Sequence, residues 1–382
     1  MNYYILTLWI VCLAFFSCSE GEDNQPVDEG RRLREIVAEK FPDGNVQIGG
    51  TMGYSNLDRK EGEILNKEFS YITPENDFKQ NNVHPTPPSW SWVYPDGWVE
   101  SAKNNDQVIR IHGPISPQCS SWAKDDSRTP EELLQNMEEY MSELCKRYND
   151  IENVVWMDVV NETVLDDGSW HGPKEGTDSW ENPWTQIGYI KDIPTEYIHL
   201  DDSVPVYIIR AFEIANEYAT NKKLIINQHG TMNDELWNKI KDMVFYLRSL
   251  GLRVDGIGWQ AHIRLQNSDY LKWADANSEN FVKLSALIDW AHANNLEFHV
   301  TENDIFDLKT RSYNEDQYAV IYTNIVSTVL SKRSSGVVTW NLWTLNDGPH
   351  FSNPDLRIAG IWDETFHPRK AYLAIQSLLE AQ

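Results

Sequence analysis

The sequence predicts a (β/α)8 barrel, an α/β fold of the TIM type, formed as one domain. Three observations predict it. From about residue 31 onward short β-branched runs alternate with longer amphipathic stretches, and the runs number eight, which closes such a barrel. Their polar residues gather at the C-terminal ends, the face on which barrels of this kind carry their sites. A length of 382 residues suits a single large barrel, and no internal repeat, low-complexity block or linker interrupts residues 40 to 382.

The runs come in order. VQIGGTMG (46–53) is followed by FSYITPEN (69–76), whose tip carries Glu75 and Asn76, and by VIRIHGPI (108–115), which carries His112. VVWMDVVNE (154–162) ends in Asn161 and Glu162, and KLIINQHG (223–230) carries Asn227. RVDGIGWQAHI (253–263) brings Gln260 and His262, EFHVTENDI (297–305) brings Glu302, and GVVTWNLWT (336–344) brings Trp340. The connecting stretches have helical periodicity. TPEELLQNMEEYMSELCKRYND places Leu133, Leu134, Met137, Met141 and Leu144 on one face, with Thr129 and Pro130 as the start signal. SENFVKLSALIDWAHANN and NEDQYAVIYTNIVSTVLSKR do the same before the seventh and eighth runs.

The first residues, MNYYILTLWIVCLAFFSCSEGEDNQ, hold an apolar run too short to span a membrane comfortably, ending in small residues before Cys18. This predicts export. The FFSC step resembles a bacterial lipoprotein cleavage box with Cys18 as the lipidated residue, although no Lys or Arg precedes the apolar core. The expected division is a signal peptide at 1–17, an acidic tether at 18–30 and the barrel at 31–382, with an uncleaved anchor as the alternative. Contact with a membrane is expected only through that lipid, at the outer membrane or cell surface, and the folded part is expected to be a monomer. Cys119 and Cys145 then remain in the mature chain, too few for a disulfide framework, either as a pair or as buried thiols.

A formal net charge of -25, from 58 acidic and 33 basic residues, leaves no Lys/Arg block able to track a phosphate backbone. Nucleic acid and anionic lipid surfaces are poor partners for such a domain, whereas a neutral polymer such as a polysaccharide is not disfavoured. The 16 Trp residues supply flat rings on which sugars stack.

Glu162 and Glu302 end the fourth and seventh runs. Two carboxyls across a barrel mouth suit hydrolysis of an acetal, in which one holds a proton for the leaving oxygen and the other stays ionised to attack the sugar carbon, so their environments must differ. The neighbouring Asn161 amide suits a sugar hydroxyl near the reacting carbon. His262 is placed to orient Glu302, and Asp304 to support from behind. Glu75, beside Asn76 and Lys79, reads as substrate binding. A metal site built from His112, His262 and these carboxylates is conceivable but would need a closeness that spacing cannot show, and the expectation is no metal and no cofactor.

At this point a resemblance becomes specific. PENDFK, VVWMDVVNE, GIGWQAHI and HVTENDIFD resemble, in order and over nearly the whole domain, the strand-end motifs of glycoside hydrolase family 10, the retaining endo-β-1,4-xylanases. The resemblance implies Glu162 as acid/base and Glu302 as nucleophile. It implies Glu75, Asn76 and Lys79 as glycone-binding residues, His112, His262 and Gln260 as supporting groups, and Trp340 as the floor of the sugar site. The Asn161-Glu162-Thr163 triplet also fits a glycosylation sequon, which inside a barrel strand is accidental.

Two stretches depart from the family pattern. After His112, Ser116 and Pro117 stand where a Trp-His pair is expected, and Gln118 fits the family's Gln only with a one-residue shift. After Trp340, Thr344 and Gly348 stand where the family has Asp and Trp. A site that has lost such walls is expected to be more open and to favour a decorated chain, with Trp343 replacing part of the wall. Trp90, Trp92 and Trp98 after the second run, and Trp170, Trp180 and Trp184 after the fourth, are either sugar platforms or barrel caps. The functional expectation is a retaining endo-glycosidase acting on xylan or a related β-linked polysaccharide. The alternatives are the same chemistry on another glycan and a surface glycan-binding lipoprotein without turnover.

Overall fold

Eight parallel strands close on themselves. They are β1 (Val46–Met52), β2 (Tyr71–Pro74), β3 (Val108–Ile111), β4 (Val154–Asn161), β5 (Lys223–Gln228), β6 (Gly256–Trp259), β7 (Glu297–Leu308) and β8 (Val338–Leu342). Each pairs with the next, and β8 pairs back onto β1, so the barrel leaves no free edge. The computed structural model describes residues 30–382 apart from 175, 177, 179 and 266–269. The expected signal peptide, Cys18 and all but the last residue of the tether lie outside the described residues.

Helices cover the barrel as the periodicity predicts. The helix Pro130–Tyr148 starts at a capping box, in which Thr129 Oγ1 accepts from the Glu132 N–H and the Glu132 carboxylate accepts from the Thr129 N–H. It buries Leu133, Met137, Met141 and Leu144, while Leu134 stays at the rim. Glu279–Ala293 and Glu315–Ser331 cover the strands on the other side. No helix among the described residues is long and apolar enough to cross a membrane. Cys119 and Cys145 are buried free thiols, and burial pushes the Cys119 thiol up to about 12.

Two strands differ from expectation. The sixth run breaks after Trp259 and resumes as a short strand, His262–Arg264, because Ala261 takes left-handed backbone (φ 59°). β7 runs on to Leu308, since its outer half pairs with His262–Arg264 on one side and, antiparallel, with Leu356–Ile358 on the other. Gly348–Pro349 extends that small sheet. The mouth of the barrel is therefore built up on the side of β6 and β7.

The inside of the barrel is polar in its upper half. Arg110 on β3 and Asp158 on β4 are fully buried and lie 3.1 Å apart, and Arg110 also donates to the Thr301 carbonyl on β7 at 3.0 Å. Glycines make the room. A Cβ on Gly258 would sit 2.5 Å from Asn227 Oδ1 and 2.8 Å from Thr301 Cγ2, so only glycine lets those side chains cross the barrel there. Replacing Arg110 with Met leaves Asp158 without its cation in a dry interior. The expected loss of unfolding free energy is about 3–5 kcal/mol, read from the denaturant midpoint, and a loss below about 1 kcal/mol would show that water or a proton takes the place of the guanidinium.

Candidate active site

β4 delivers its carboxyl by turning. Asn161 is the last strand residue, and Glu162 takes left-handed backbone (φ 57°), a conformation that costs a non-glycine residue roughly 1 kcal/mol or more. Hydrogen bonds hold the turn. The Glu162 N–H donates to the Asn227 carbonyl at 3.1 Å, and the N–H groups of Thr163 and Val164 donate to Gln228 Oε1 at 3.1 and 3.2 Å. The chain leaves the barrel and the Glu162 side chain stays half-buried at the mouth.

A line of amides connects the two glutamates. Gln260 Nε2 donates to Glu162 Oε1 at 2.9 Å and to Asn161 Oδ1 at 3.1 Å. Asn227 Nδ2 donates to Asn161 Oδ1 at 2.9 Å and to Glu302 Oε1 at 2.7 Å. Glu302 is 3% exposed, so these bonds are made out of water, where loss of one leaves an expensive orphan.

On the far side of Glu302 stand two histidines in different states. His262 lies between carboxylates, with Nε2 3.3 Å from Glu302 Oε2 and Nδ1 2.6 Å from Asp304 Oδ1. Burial pulls its pKa down, but Asp304 and Glu302 outweigh burial and push it up to about 10, so the ring is an imidazolium. His112 is held well below its ordinary value by burial, with the charges of Lys79, Arg110 and His262 adding to the effect. This neutral ring lies 3.1 Å from Asp158 Oδ2. Trp343 stands edge-on to both rings, with centroids 5.2 and 6.2 Å away.

Lys79 is 2% exposed and donates to Gln118 Oε1. Burial lowers its pKa against the opposing pull of Glu302, Glu162 and Glu75. Glu75 is raised by burial, with Lys79 opposing, and Asn76 bonds to it. The Glu162 carboxyl is held below its ordinary value. Burial alone would raise it, and His229, the Gln260 hydrogen bond, Lys79 and His171 overcome that.

Residues 33–378 match the family described as Glycosyl hydrolase family 10. The chain belongs to that family. Endo-1,4-beta-xylanase B of Thermotoga neapolitana is 26% identical over 388 residues, covering 98% of this chain and 96% of that protein. Endo-1,4-beta-xylanase A of Caldicellulosiruptor saccharolyticus is 27% identical over 319 residues, covering 79% and 82%. The crystal structure of native xylanase 10B from Thermotoga maritima is similar with a TM-score of 0.74 and 25% identity, covering 92% of this chain and 98% of that one.

Set in the family 10 barrel, ten of the residues singled out in the sequence gather at one mouth: Glu75, Asn76, Lys79, His112, Asn161, Glu162, Gln260, His262, Glu302 and Trp343. Trp340 is a correction. It is 1% exposed, packs edge-on against Tyr322 and donates from Nε1 to Asn303 Oδ1 at 2.9 Å, so it faces the helices and not the cleft. It acts on the site indirectly, because Asn303 Nδ2 holds the Ala261 carbonyl at the kink before His262. Trp98 and Trp184 are also core residues, and the Trp184 indole donates to the Ser116 carbonyl. Trp90 stacks on His84 and on Trp92, with centroids 3.8 and 5.6 Å away and near-parallel planes, and stays 40% exposed.

Sequence reasoning gave no role to Asn227, Asp158, His229 or His171. Asp158 had a signal: a carboxyl within an apolar strand requires a partner, and Arg110 is the matching charge in the run before. His229 leads the groups that hold Glu162 down. Replacing it with Asn is expected to raise the Glu162 pKa, so that the carboxyl keeps its proton to higher pH. Carbon NMR titration of the glutamate side chains reads this directly, and an unmoved Glu162 titration would remove His229 from the account.

Proposed function

We propose that the chain is an endo-acting β-1,4-xylanase that cleaves with retention. The observation that carries the reading is the unbroken line of amides from Glu162 to Glu302, with a cationic His262 on the far side of Glu302. The names of the curated relatives support xylan as the polymer.

Glu302 attacks the anomeric carbon while Glu162 gives its proton to the leaving glycosidic oxygen. Glu162 then takes a proton from water as that water displaces Glu302 from the sugar. Asn227 and His262 hold the nucleophile in one orientation. The surroundings of Glu162, which lower its pKa, suit the second step, in which it is a base. A sugar laid over this half-exposed carboxyl removes the water that solvates its charge, which favours the protonated form required in the first step.

Glu75, Asn76 and Lys79 take the sugars on the non-reducing side, with Gln118 steadying the ammonium and Trp343 as the wall. The partner is a neutral polysaccharide, the enzyme needs no cofactor, and it works as an exported monomer held by a lipid on Cys18.

Reducing-sugar release across a panel of β-linked polysaccharides tests the reading. Turnover is expected on xylan, with Glu162→Gln lowering kcat about 10²–10⁴-fold and Glu302→Gln abolishing it. Proton NMR of the first product should show the β-anomer. Activity confined to another polymer moves the substrate, an α-anomer overturns Glu302 as nucleophile, and glycan binding without turnover returns the chain to a binding protein.

A further inference from the structure

The strand ladder is broken where the site is aimed. β6 and β7 pair as far as Trp259 and Val300 and resume at His262 and Asp304, so Gln260 and Ala261 stand against Thr301, Glu302 and Asn303 outside the paired register. On its other edge β7 shifts register against β8 between Val300 and Asn303, a bulge that contains Glu302. A break of this kind strands backbone groups, and in a buried barrel wall each of them needs a partner.

Asn303 closes the break. Its side chain is fully buried, with Nδ2 donating to the Ala261 carbonyl at 2.9 Å and Oδ1 accepting from the Trp340 indole N–H at 2.9 Å. Its own carbonyl accepts from the Trp343 N–H at 3.0 Å. One residue thus ties β6 to β8 across β7, directly after Glu302. The carbonyl it holds belongs to Ala261, whose left-handed backbone (φ 59°) persists only where neighbours enforce it. On either side of that kink lie Gln260, bonded to Glu162 Oε1 at 2.9 Å, and His262, 3.3 Å from Glu302 Oε2.

We propose that Asn303 is a positioning residue for both glutamates: by holding the Ala261 carbonyl it fixes the kink that sends Gln260 to Glu162 and His262 to Glu302. This rests on the glycosidase reading for the roles of the two carboxyls and adds the residue that holds them relative to each other. Its side chain bonds to neither carboxyl, so it acts through the kink. A leucine in its place offers no polar atom and orphans both the Ala261 carbonyl and the Trp340 N–H. Nothing then enforces the kink, and the contacts to Glu162 and Glu302 loosen together.

Asn303→Leu and the double variant Asn303→Leu/Trp340→Phe test this. In Asn303→Leu, kcat on linear xylan is expected to fall roughly 10²-fold, the cost of displacing a catalytic group by about 1 Å, while KM stays within about threefold because the sugar-binding residues after β2 are untouched. Adding Trp340→Phe removes the orphaned indole N–H, so the melting temperature lost in Asn303→Leu is expected to recover in part without recovery of kcat. A kcat that returns with stability makes Asn303 a packing residue and overturns the proposal.

Nitrogen NMR of the histidine rings reads the same kink without substrate. His262 is faced by Glu302 and Asp304 on β7, by His112 on β3 and by His350 after β8, and the two carboxylates favour its charge. In the wild type the ring is expected to keep its proton up to about pH 10. In Asn303→Leu, drawn away from Glu302, it is expected to lose the proton at least about one pH unit lower. An unmoved His262 titration in folded Asn303→Leu overturns the proposal. A wild type inactive on every glycan counts against the glycosidase reading, while the ring titration still decides whether Asn303 sets the kink.

Discussion

The buried pair between Arg110 and Asp158 supports everything above it. Asp158 lies against the neutral His112 ring, which with Trp343 walls the space in front of Glu302. Arg110 reaches across the barrel to the Thr301 carbonyl, one residue before Glu302. One guanidinium therefore ties β3 and β4 to β7 directly beneath the carboxyl that β7 carries. A hydrophobic filling would serve stability as well or better, because removing two charges from water is expensive. It would not fix the heading of Glu302 or present a hydrogen-bond partner to His112.

That choice spreads through the barrel interior. Asn341 donates to Thr51 Oγ1 and to the Thr301 carbonyl, and Thr301 Oγ1 donates to Asn227 Oδ1. The Asn227 amide is then left with its Nδ2 group pointing in one sense, toward Asn161 and Glu302. Each residue has its orientation set by the one below, so the glutamates inherit their positions from a satisfied network and not from loop packing. The glycines of β1 and β6 belong to the same design, since an interior crossed by long polar side chains needs strands that give up volume.

Much of this was legible in the sequence, and the reason is periodicity. Eight apolar runs with polar tips specify a barrel and the face that carries its site, and ten of the residues read there meet at the mouth. What stayed hidden was which way a side chain points. Trp340 is near a strand end, yet it alternates with Asn341, whose side chain lies inside the barrel, and so turns outward. Trp343, just beyond the strand, turns in. The tryptophans after β2 and β4 divide between core and surface by tertiary packing, which composition cannot see. Asn227 was visible as a polar tip, but its bridging role depends on Gly258, on the next strand, giving it clearance.

The charges of the site also constrain what it accepts. Five carboxyls, Glu75, Asp158, Glu162, Glu302 and Asp304, are interleaved with the cations Lys79, Arg110 and His262. Each cation has a carboxyl to hold: Lys79 lies in the field of Glu75, Glu162 and Glu302, Arg110 pairs with Asp158, and His262 bridges Glu302 and Asp304. No cation in this set is left over to receive an anionic ligand. A negatively charged sugar entering the cleft would compete for Lys79 or His262 and release the carboxyl that depends on it, which in a water-poor space is costly. A neutral sugar exchanges hydroxyls for water and leaves the balance intact, with both glutamates free to trade a single proton with the substrate.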